Sequence, residues 1–317
     1  MSQGHNNARS TRLAFAGIPR MPRSALVVLV LIAASGANCQ QMVNRYTQPL
    51  PRVLPPAASL AQVIEVVNNN STAVTSFSTM RATVSTPGYP GLRANLAFQR
   101  PRGFRLRADL ALSGPEVDLG SNDTIFWFWV RRDNPPALYY CRHDQFATSA
   151  ARQVIPVEPD WLAQALGLVS FDASEQHDGP HPVRGGKLEI RSTSPGANGA
   201  RRVTILDEAS GIVLEQHVYD ARGTRVASAM MSGHQRDPGT GVIMPRKVRI
   251  EWPTATFEMT VELADLQINR LTADPAALFT KPEYPGYVNV DLCAPNALGG
   301  PPVSAGGPIT PFPAAPH

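Results

Sequence analysis

The sequence lacks a long apolar segment: the apolar run at residues 25–34 (ALVVLVLIAA) has only ten residues. A helix that spans a bilayer needs about 20 apolar residues, so this run is too short for a stable span. The sequence also has no Gly-x-Ser-x-Gly motif, no phosphate loop and no zinc signature. These absences argue against a hydrolase, a nucleotide-dependent enzyme or a metalloenzyme. We predict a protein that is not an enzyme and needs no metal or cofactor.

Acidic residues are missing from residues 1–38, which hold four arginines, Arg9, Arg12, Arg20 and Arg23. The formal net charge of the whole chain is +4, so removal of this segment would leave the remainder close to neutral. Binding to nucleic acid requires a basic face that neutralises phosphates. The charge distribution therefore predicts no nucleic-acid partner.

Residues 1–38 have the order of a secretory signal peptide. Arg20 and Arg23 precede the apolar run, and the small residues Ser35, Gly36 and Ala37 follow it. Met21 is an alternative start, since residues 1–20 add nothing to such a signal. A permanent N-terminal anchor helix is the other interpretation of the same run.

Cysteine is scarce, with three residues in the chain, and the first of them follows the signal directly. The context Gly36-Ala37-Asn38-Cys39 is similar to a bacterial lipobox, in which the cysteine thiol is lipidated and becomes the new N-terminus. Gly36 and Asn38 depart from the usual residues of that motif. We predict lipidation of Cys39 and a membrane-anchored protein of the cell envelope that faces the periplasm, at the outer membrane in preference to the inner one. Cleavage near Ala37, which gives a soluble protein, is the alternative.

Proline, glycine and alanine mark the two ends of the exported part. Residues 39–58 contain Pro49, Pro51, Pro55 and Pro56, which favour extended backbone and predict a tether after the lipidated cysteine. Residues 293–317 have few side chains able to pack and predict a disordered tail. Residues 59–292 remain as one folded domain, which we expect to be a monomer.

The folded part begins with a helix and continues with strands. Leu60, Val63, Ile64 and Val67 recur at helical spacing after Ser59, which can cap the helix, and the run of asparagines from Asn68 predicts its end. A second helix is predicted at 161–168, with Asp160 as its cap. From Thr75 the apolar period is two, and turn residues separate strands predicted at 80–85, 92–99, 103–110, 124–130, 137–142, 187–192, 202–207, 212–220, 224–232, 242–252 and 256–269. Short turns between so many strands predict an antiparallel meander that curls into a barrel or half-barrel.

Four motifs in this order resemble the LolA/LolB superfamily of outer-membrane lipoprotein carriers and receptors, over roughly residues 59–292. They are the amphipathic helix, Phe98-Gln99-Arg100-Pro101 with Phe104-Arg105-Leu106, the run from Asp118 to Trp127-Phe128-Trp129, and the run from Ala276 to Val288. The resemblance implies a mainly β (α+β) fold, in which a curved antiparallel sheet forms an unclosed half-barrel with helices packed as a lid. It also implies non-covalent binding of lipid acyl chains or lipoproteins in an apolar cavity, with Arg100 matching the family's functional arginine.

The residues expected around such a cavity alternate along the strands or lie on the second helix. Burial of an acyl chain in such a cavity contributes about 0.8 kcal/mol per methylene. The same side chains could instead fill a core, as they do in small barrels. The expected lining residues are Leu96, Phe98, Arg100, Phe104, Leu106, Phe126, Phe128 and Trp161.

Two further features leave alternatives open. Cys141 and Cys293 would meet an oxidising compartment after export, so they form either a disulfide or two buried thiols. His177 and His181 are four residues apart, but Gly179 and Pro180 exclude a helix between them, which favours a solvated loop over a metal pair.

Two functions follow from the sequence. The first is an envelope protein that carries or accepts lipids or lipoproteins in outer-membrane trafficking. The second is a structural or sensory envelope lipoprotein that uses the same fold to bind a protein partner. A hydrolase is the weakest hypothesis, because no nucleophile and base are seen to converge.

Overall fold

The computed structural model describes residues 50–110, 113–132, 135–149, 151–155, 157–194 and 199–294. The signal segment, Cys39, the first part of the predicted tether and the tail beyond Ala294 lie outside these residues. Within the described ranges no helix is long and apolar enough to cross a membrane.

The helices are short except for the first. They are α1 (Leu60–Thr72), α2 (His143–Phe146), α3 (Ala151–Val154), α4 (Trp161–Ala165) and α5 (Pro275–Leu278), with a 3₁₀ turn at Pro253–Ala255.

Along the sequence the strands form two runs, one before and one after the helices α2, α3 and α4. The first run is β1 (Ser76–Ser85), β2 (Leu92–Gln99), β3 (Gly103–Leu110), β4 (Gly114–Ser121), β5 (Ile125–Val130) and β6 (Ala137–Arg142). The second run is β7 (Gln176–Val183), β8 (Lys187–Thr193), β9 (Arg201–Asp207), β10 (Val213–Tyr219), β11 (Arg225–Ser232), β12 (Gln235–Arg236), β13 (Ile243–Met244), β14 (Lys247–Trp252), β15 (Phe257–Ala264) and β16 (Gln267–Ile268), with β17 (Val288–Asp291) near the end.

Fifteen of the described strands form one sheet, in the order β17-β6-β5-β4-β3-β2-β1-β15-β14-β11-β10-β9-β8-β7, with β16 beside β1. The two runs are joined by antiparallel pairing of β1 with β15, from Arg81 opposite Ala264 to Ser85 opposite Thr260. The other main-sheet neighbours are also antiparallel, except that β17 runs parallel to β6. Because β7 and β17 are the two ends of this order, the sheet is an unclosed half-barrel.

One buried core shows that the sheet is curved. Leu106 of β3 and Ile190 of β8 lie far apart in the strand order, yet they belong to the same buried cluster. The helices complete this cluster on the inner side of the sheet, with Val63 and Val67 of α1 and Trp161 of α4. The predicted mainly β half-barrel with helices packed on it is confirmed.

The start of α1 follows its sequence signal, but its end does not. The Ser59 Oγ accepts a hydrogen bond from the Gln62 N–H (3.3 Å), and the Gln62 side chain accepts one from the Ser59 N–H (2.9 Å). The run Asn68-Asn69-Asn70-Ser71, predicted to end the helix, lies inside it, and the helix ends at Thr72. The asparagine side chains are used in contacts with distant segments, so they do not compete with the helix backbone.

The second helix is shorter than its prediction, ending at Ala165, and its predicted cap is also wrong. Asp160 makes no side-chain capping bond. Its carboxylate instead lies 3.3 Å from the guanidinium of Arg102. The ion pair draws the oxygen away from the helix N–H groups.

Four of the described strands were not predicted, namely β4, β7, β12 and β17. β4 contains Gly114, Pro115 and Gly120, yet it forms because β3 and β5 offer ladder partners on both sides. β7 contains two prolines and occupies an edge of the sheet, where a missing N–H is tolerated. The predicted solvated loop around His177 and His181 is therefore wrong.

Two predicted strands are interrupted. Pro245 and Arg246 separate β13 from β14, and β13 pairs with β12 in a hairpin outside the main sheet. Asp265 has a positive φ of 48° and separates β15 from β16. This break lies opposite a bulge on β1 between Thr79 and Ala82, and Arg81 of the bulge forms an ion pair with Asp265.

Candidate functional site

Most of the side chains expected around a cavity lie together in the main core. Their exposed fractions are between 2% and 7%, and Phe98 stacks on Phe77 with ring centroids 5.3 Å apart. Neither of the two pockets described below is lined by them. They fill the interior of the half-barrel, and a ligand-binding role for them stays a prediction. The residues are Leu96, Phe98, Phe104, Leu106 and Trp161.

Phe126 and Phe128 belong to a separate cluster near β6. Phe126 meets Phe146 edge-on at 5.3 Å, and Phe128 stacks on Tyr139 at 4.9 Å. Cys141 is buried in the same cluster. The structure therefore does not bring the expected lining residues into one place.

Cys141 and Cys293 are joined by a disulfide, with their Cα atoms 5.3 Å apart and a sequence separation of 152. Cys141 lies in β6, and Cys293 lies two residues beyond the end of β17, which pairs with β6. The bond pins the C-terminal end of the domain to one edge of the sheet.

A pocket of about 350 Å³ lies beside α1, where sequence reasoning placed none. Its walls come from five segments of the chain. They are residues 51–53, α1, the turn after α4, residues 210–213 at the start of β10, and residues 231–245 from the end of β11 through the β12–β13 hairpin. The lining residues are Pro51, Val53, Val66, Val67, Asn69, Asn70, Gly167, Val169, Ser210, Gly211, Ile212, Val213, Met231, His234, Arg236, Gly241, Ile243 and Pro245. A smaller opening of about 340 Å³ elsewhere is lined mainly by charged residues, among them Arg81, Arg246, Lys247 and Glu262.

Two glycines, Gly211 and Gly167, allow the backbone to pack closely against Val66 of α1 and against Pro245 beside β13. A Cβ atom at Gly211 would lie 2.8 Å from Val66 Cγ1, and one at Gly167 would lie 2.5 Å from the Pro245 ring. Both glycines also have positive φ, 68° and 108°. Any other residue at either position would push α1 or the hairpin away from the sheet.

The last turns of α1 are held by two asparagines that bond different segments of the chain. Asn68 exchanges two hydrogen bonds with the backbone of Phe171, at 2.9 and 2.8 Å. Asn70 exchanges two with the backbone of Ile243, both at 2.9 Å. The sequence signal, a run of asparagines inside an amphipathic helix, could have suggested such contacts.

Arg100 holds the C-terminal end of α1 from the sheet side. Its Nε donates to the Val74 carbonyl oxygen (2.8 Å), and its Nη2 donates to the carbonyl oxygen of Ser71 (2.8 Å) and to the Ser71 hydroxyl (3.3 Å). A cation at the end of a helix is favourable for the helix dipole. Burial lowers the pKa of the Arg100 guanidinium from its ordinary value. Arg100 thus ties the helix that covers the pocket to β2.

The tether predicted up to Ala58 is in part packed on the domain. The N–H groups of Val53 and Leu54 donate to the Ala209 carbonyl oxygen at 2.9 and 3.0 Å. Leu54 is buried in the main core, while Val53 is half exposed at the pocket.

His234 is a titratable residue that lines this pocket. Burial lowers the pKa of its imidazole below the ordinary value of 6.5, against the smaller effect of a hydrogen bond with the Val213 backbone. This shift favours the uncharged form of the ring.

The outer face of β3–β6 carries the remaining motif residues. The Asp118 carboxylate accepts hydrogen bonds from Arg105 (2.7 Å), Trp127 Nε1 (3.4 Å) and the Tyr284 hydroxyl (2.7 Å). Trp129 stacks on Tyr284 with centroids 3.9 Å apart. Burial raises the pKa of the Tyr284 hydroxyl, and Asp118 raises it further. These contacts bind residues 279–287 across the back of the sheet, which gives the motifs a structural role.

A histidine on β10 has the partners of a hydrolytic triad but not the access. His217 Nδ1 lies 2.9 Å from Ser228 Oγ, and its Nε2 lies 3.2 Å from Glu215. Ser228 has no exposed surface. A substrate cannot reach its hydroxyl in this arrangement, so the cluster does not support a hydrolase. His177 and His181 bond Ser192 (2.9 Å) and Asp178 (2.9 Å) respectively.

Comparisons with known proteins matched no family model and no curated protein. Among solved structures, the chain is similar to a DUF1329 family protein from Desulfovibrio piger, with 11% identity, 69% of this chain and 98% of that chain covered, and a TM-score of 0.46. A Vibrio parahaemolyticus domain described as outer membrane lipoprotein-sorting gives 10% identity, 67% and 94% coverage, and a TM-score of 0.46. A LolA superfamily protein from Nitrosomonas europaea gives 9% identity, 69% and 97% coverage, and a TM-score of 0.42.

The fold is established by the strand order itself. The unclosed antiparallel half-barrel with helices on its inner side is the architecture that the resemblance to LolA/LolB predicted.

Proposed function

We propose that this protein is an exported envelope lipoprotein that binds an acyl chain in the pocket beside α1, as a carrier or acceptor of lipids or lipoproteins. The observation that supports this most is the pocket itself, about 350 Å³ in volume and lined by apolar residues from α1, β10, β11 and the turn after α4. Its volume falls at the lower end of the range of small-molecule sites, about 300–1,000 Å³.

The energetics favour an apolar chain over a polar ligand in this pocket. Val66, Val67, Val169 and Met231 present methyl and thioether groups to it. Each methylene buried against such groups contributes about 0.8 kcal/mol, without any need for directed hydrogen bonds. Binding of this kind is non-covalent, which fits a carrier.

The sequence before Leu50 supports export and anchoring. The signal pattern ends at Cys39, and the pocket wall includes Pro51 and Val53, a dozen residues later. A lipidated Cys39 would hold the pocket within reach of a membrane surface from which a chain could be taken. If Cys39→Ser leaves the protein in the membrane fraction with unchanged electrophoretic mobility, the anchor is disproved.

Acyl-chain binding can be tested by a substitution that fills the pocket with a larger side chain. Val66→Trp places an indole in the pocket from the half-buried face of α1. Glu65→Trp adds the same ring at an exposed neighbouring position and is the matched control. We expect a dansyl-labelled undecanoate to bind the full chain and the control, and to bind Val66→Trp at least roughly tenfold more weakly, since most of the apolar burial is lost. Equal affinity in all three proteins would contradict the proposal.

A second candidate function is the binding of a protein partner. The observation that favours it is the filled interior at Leu96, Phe98, Phe104 and Leu106, where a larger cavity was expected. In that case a stable protein partner would be recovered from envelope extracts, and its capture would be unchanged by Val66→Trp.

A further inference from the structure

The described residues that line the pocket beside α1 include one charged side chain. Among the described residues that line it, no aspartate or glutamate is present, and Arg236 is the single side chain with a formal charge at neutral pH. His234 also lines the pocket. An apolar pocket bounded by one cation and no acid is suited to a ligand that carries one negative charge.

The geometry gives the pocket two different ends. Val66 of α1 is adjacent to Gly211, whose missing Cβ would approach it at 2.8 Å. One turn further along α1, Asn70 is bonded to Ile243, which is the ladder partner of Arg236 in the β12–β13 hairpin. The pocket therefore extends along α1 from an apolar end at Val66 to a cationic end at Arg236.

The two Nη groups of Arg236 are positioned to bind a ligand. Its Nε donates to the Gly241 carbonyl oxygen at 3.2 Å, which orients the guanidinium. Among the described residues no carboxylate lies within ion-pair distance of it, although most arginines in the described ranges have such a partner. A guanidinium held by its Nε can still bind a carboxylate or phosphate with both Nη groups.

The volume limits the number of chains. A pocket of about 350 Å³ holds roughly twelve methylene groups, if each takes about the 30 Å³ share of a water molecule. One chain fits, and the two or three chains of a phospholipid or a triacylated lipoprotein do not.

We propose that the pocket binds a single-chain amphiphile with one terminal anion, of the free fatty acid class, with its chain along α1 towards Gly211 and its headgroup on Arg236. This inference rests on the proposed function, because it requires that the pocket takes an acyl chain at all. It adds the number of chains, the charge of the headgroup and the residue that selects it.

The test compares ligands that share one chain and differ in the headgroup. Dodecanoate, dodecyl phosphate, dodecanol and dodecyltrimethylammonium are titrated by calorimetry into the full chain carrying Cys39→Ser, which has no acyl chain attached at that position. We expect the two anions to bind at least about tenfold more tightly than the alcohol and the cation. The tighter of the two anions identifies a carboxylate or a phosphate as the headgroup.

Variants at Arg236 separate the headgroup from the chain. Arg236→Gln is expected to lower the affinity for dodecanoate by roughly tenfold and to leave the affinity for dodecanol unchanged. Arg236→Lys retains the charge and should recover most of the preference, and Arg222→Gln, at an exposed turn, should have no effect. The thermal midpoint of each variant shows that it is folded.

Two results are distinguishable. If the four ligands bind the unsubstituted pocket equally, or Arg236→Gln does not change dodecanoate binding, the headgroup inference is wrong while acyl-chain binding stands. If none of the four ligands binds, acyl-chain binding itself is wrong.

Discussion

The guanidinium of Arg105 donates two hydrogen bonds to the carboxylate of Asp118, at 3.2 and 2.7 Å, and the Asp118 side chain has no exposed surface. Arg105 also donates to the carbonyl oxygen of Leu278 (3.1 Å), and Tyr284 donates to Asp118. One buried carboxylate thus holds two strands and the C-terminal segment together.

We expect Asp118→Asn to destabilise the protein by about 3–5 kcal/mol, because it leaves a partly buried arginine without its countercharge. Chemical denaturation followed by tryptophan fluorescence measures this, since Trp127 and Trp129 lie beside the carboxylate. Asp123→Asn, at an exposed turn, is the control and should change stability by less than about 0.5 kcal/mol. A loss at Asp118 no larger than that of the control would disprove the role assigned to the pair.

Gly120 is expected to tolerate no side chain. A Cβ atom there would overlap the ring of Trp127, so Gly120→Ala should cost about 1–3 kcal/mol through overpacking. Gly91→Ala is the matched control, because the nearest atom to its Cβ would be Thr83 Cγ2 at an ordinary 3.5 Å. Thermal unfolding of the two variants side by side decides the question.

Arg100→Gln is expected to loosen the end of α1. The substitution removes a cation bonded to the carbonyl oxygens of Ser71 and Val74, worth about 1–3 kcal/mol. Hydrogen exchange should rise in residues 68–74 more than in β2. Arg102→Gln removes a neighbouring exposed arginine that pairs with Asp160, and it should leave exchange in α1 unchanged. The opposite ranking would show that Arg100 does not hold the helix.

Reduction of the disulfide between Cys141 and Cys293 should destabilise the domain by about 2–4 kcal/mol, because it closes a loop of 152 residues. We expect a lower thermal midpoint in a reducing agent and faster proteolysis after β17. A Cys141→Ala, Cys293→Ala double variant should show the lower midpoint without any further response to reduction. An unchanged midpoint in both conditions would contradict the pairing.

Stability should fall at acidic pH through Asp207. Burial alone would raise the pKa of this carboxyl, but hydrogen bonds from the Ser210 hydroxyl and from the N–H groups of Ser210 and Ala209 outweigh it, so the folded pKa lies below 3.8. A depressed folded pKa gives stability that is complete above the unfolded pKa and is lost as the pH falls through the folded one. The loss therefore begins below about pH 4.

Asp207→Asn should be less stable than the unsubstituted protein at pH 7, and the difference should shrink as the pH falls below about 4. Unfolding free energies measured between neutral pH and pH 2 test this. A difference that is constant over the whole range would mean that the carboxylate charge does not contribute.

Local signals in the sequence determined much of the architecture. The Ser59 capping box and the apolar spacing of α1 are properties of neighbouring residues, so they could be predicted without a partner in space. The same holds for strands whose apolar residues alternate between turns, such as β2 and β3. These elements together indicated a curved antiparallel sheet with helices on it.

The tertiary structure alone decided the rest, because the interactions concerned join distant residues. β4 and β7 have weak strand patterns and form because neighbouring strands supply hydrogen bonds. Most of the residues expected around a cavity fill the core. The alternation of apolar residues along a strand predicts which side chains lie on the inner face of the sheet, but it does not predict which residues pack against them. The pocket beside α1 is made by segments up to about 190 residues apart in sequence, from Pro51 to Pro245. The sequence determined which faces are apolar, and only the packing of α1, held by Asn68, Asn70 and Arg100, decided where an apolar space remains.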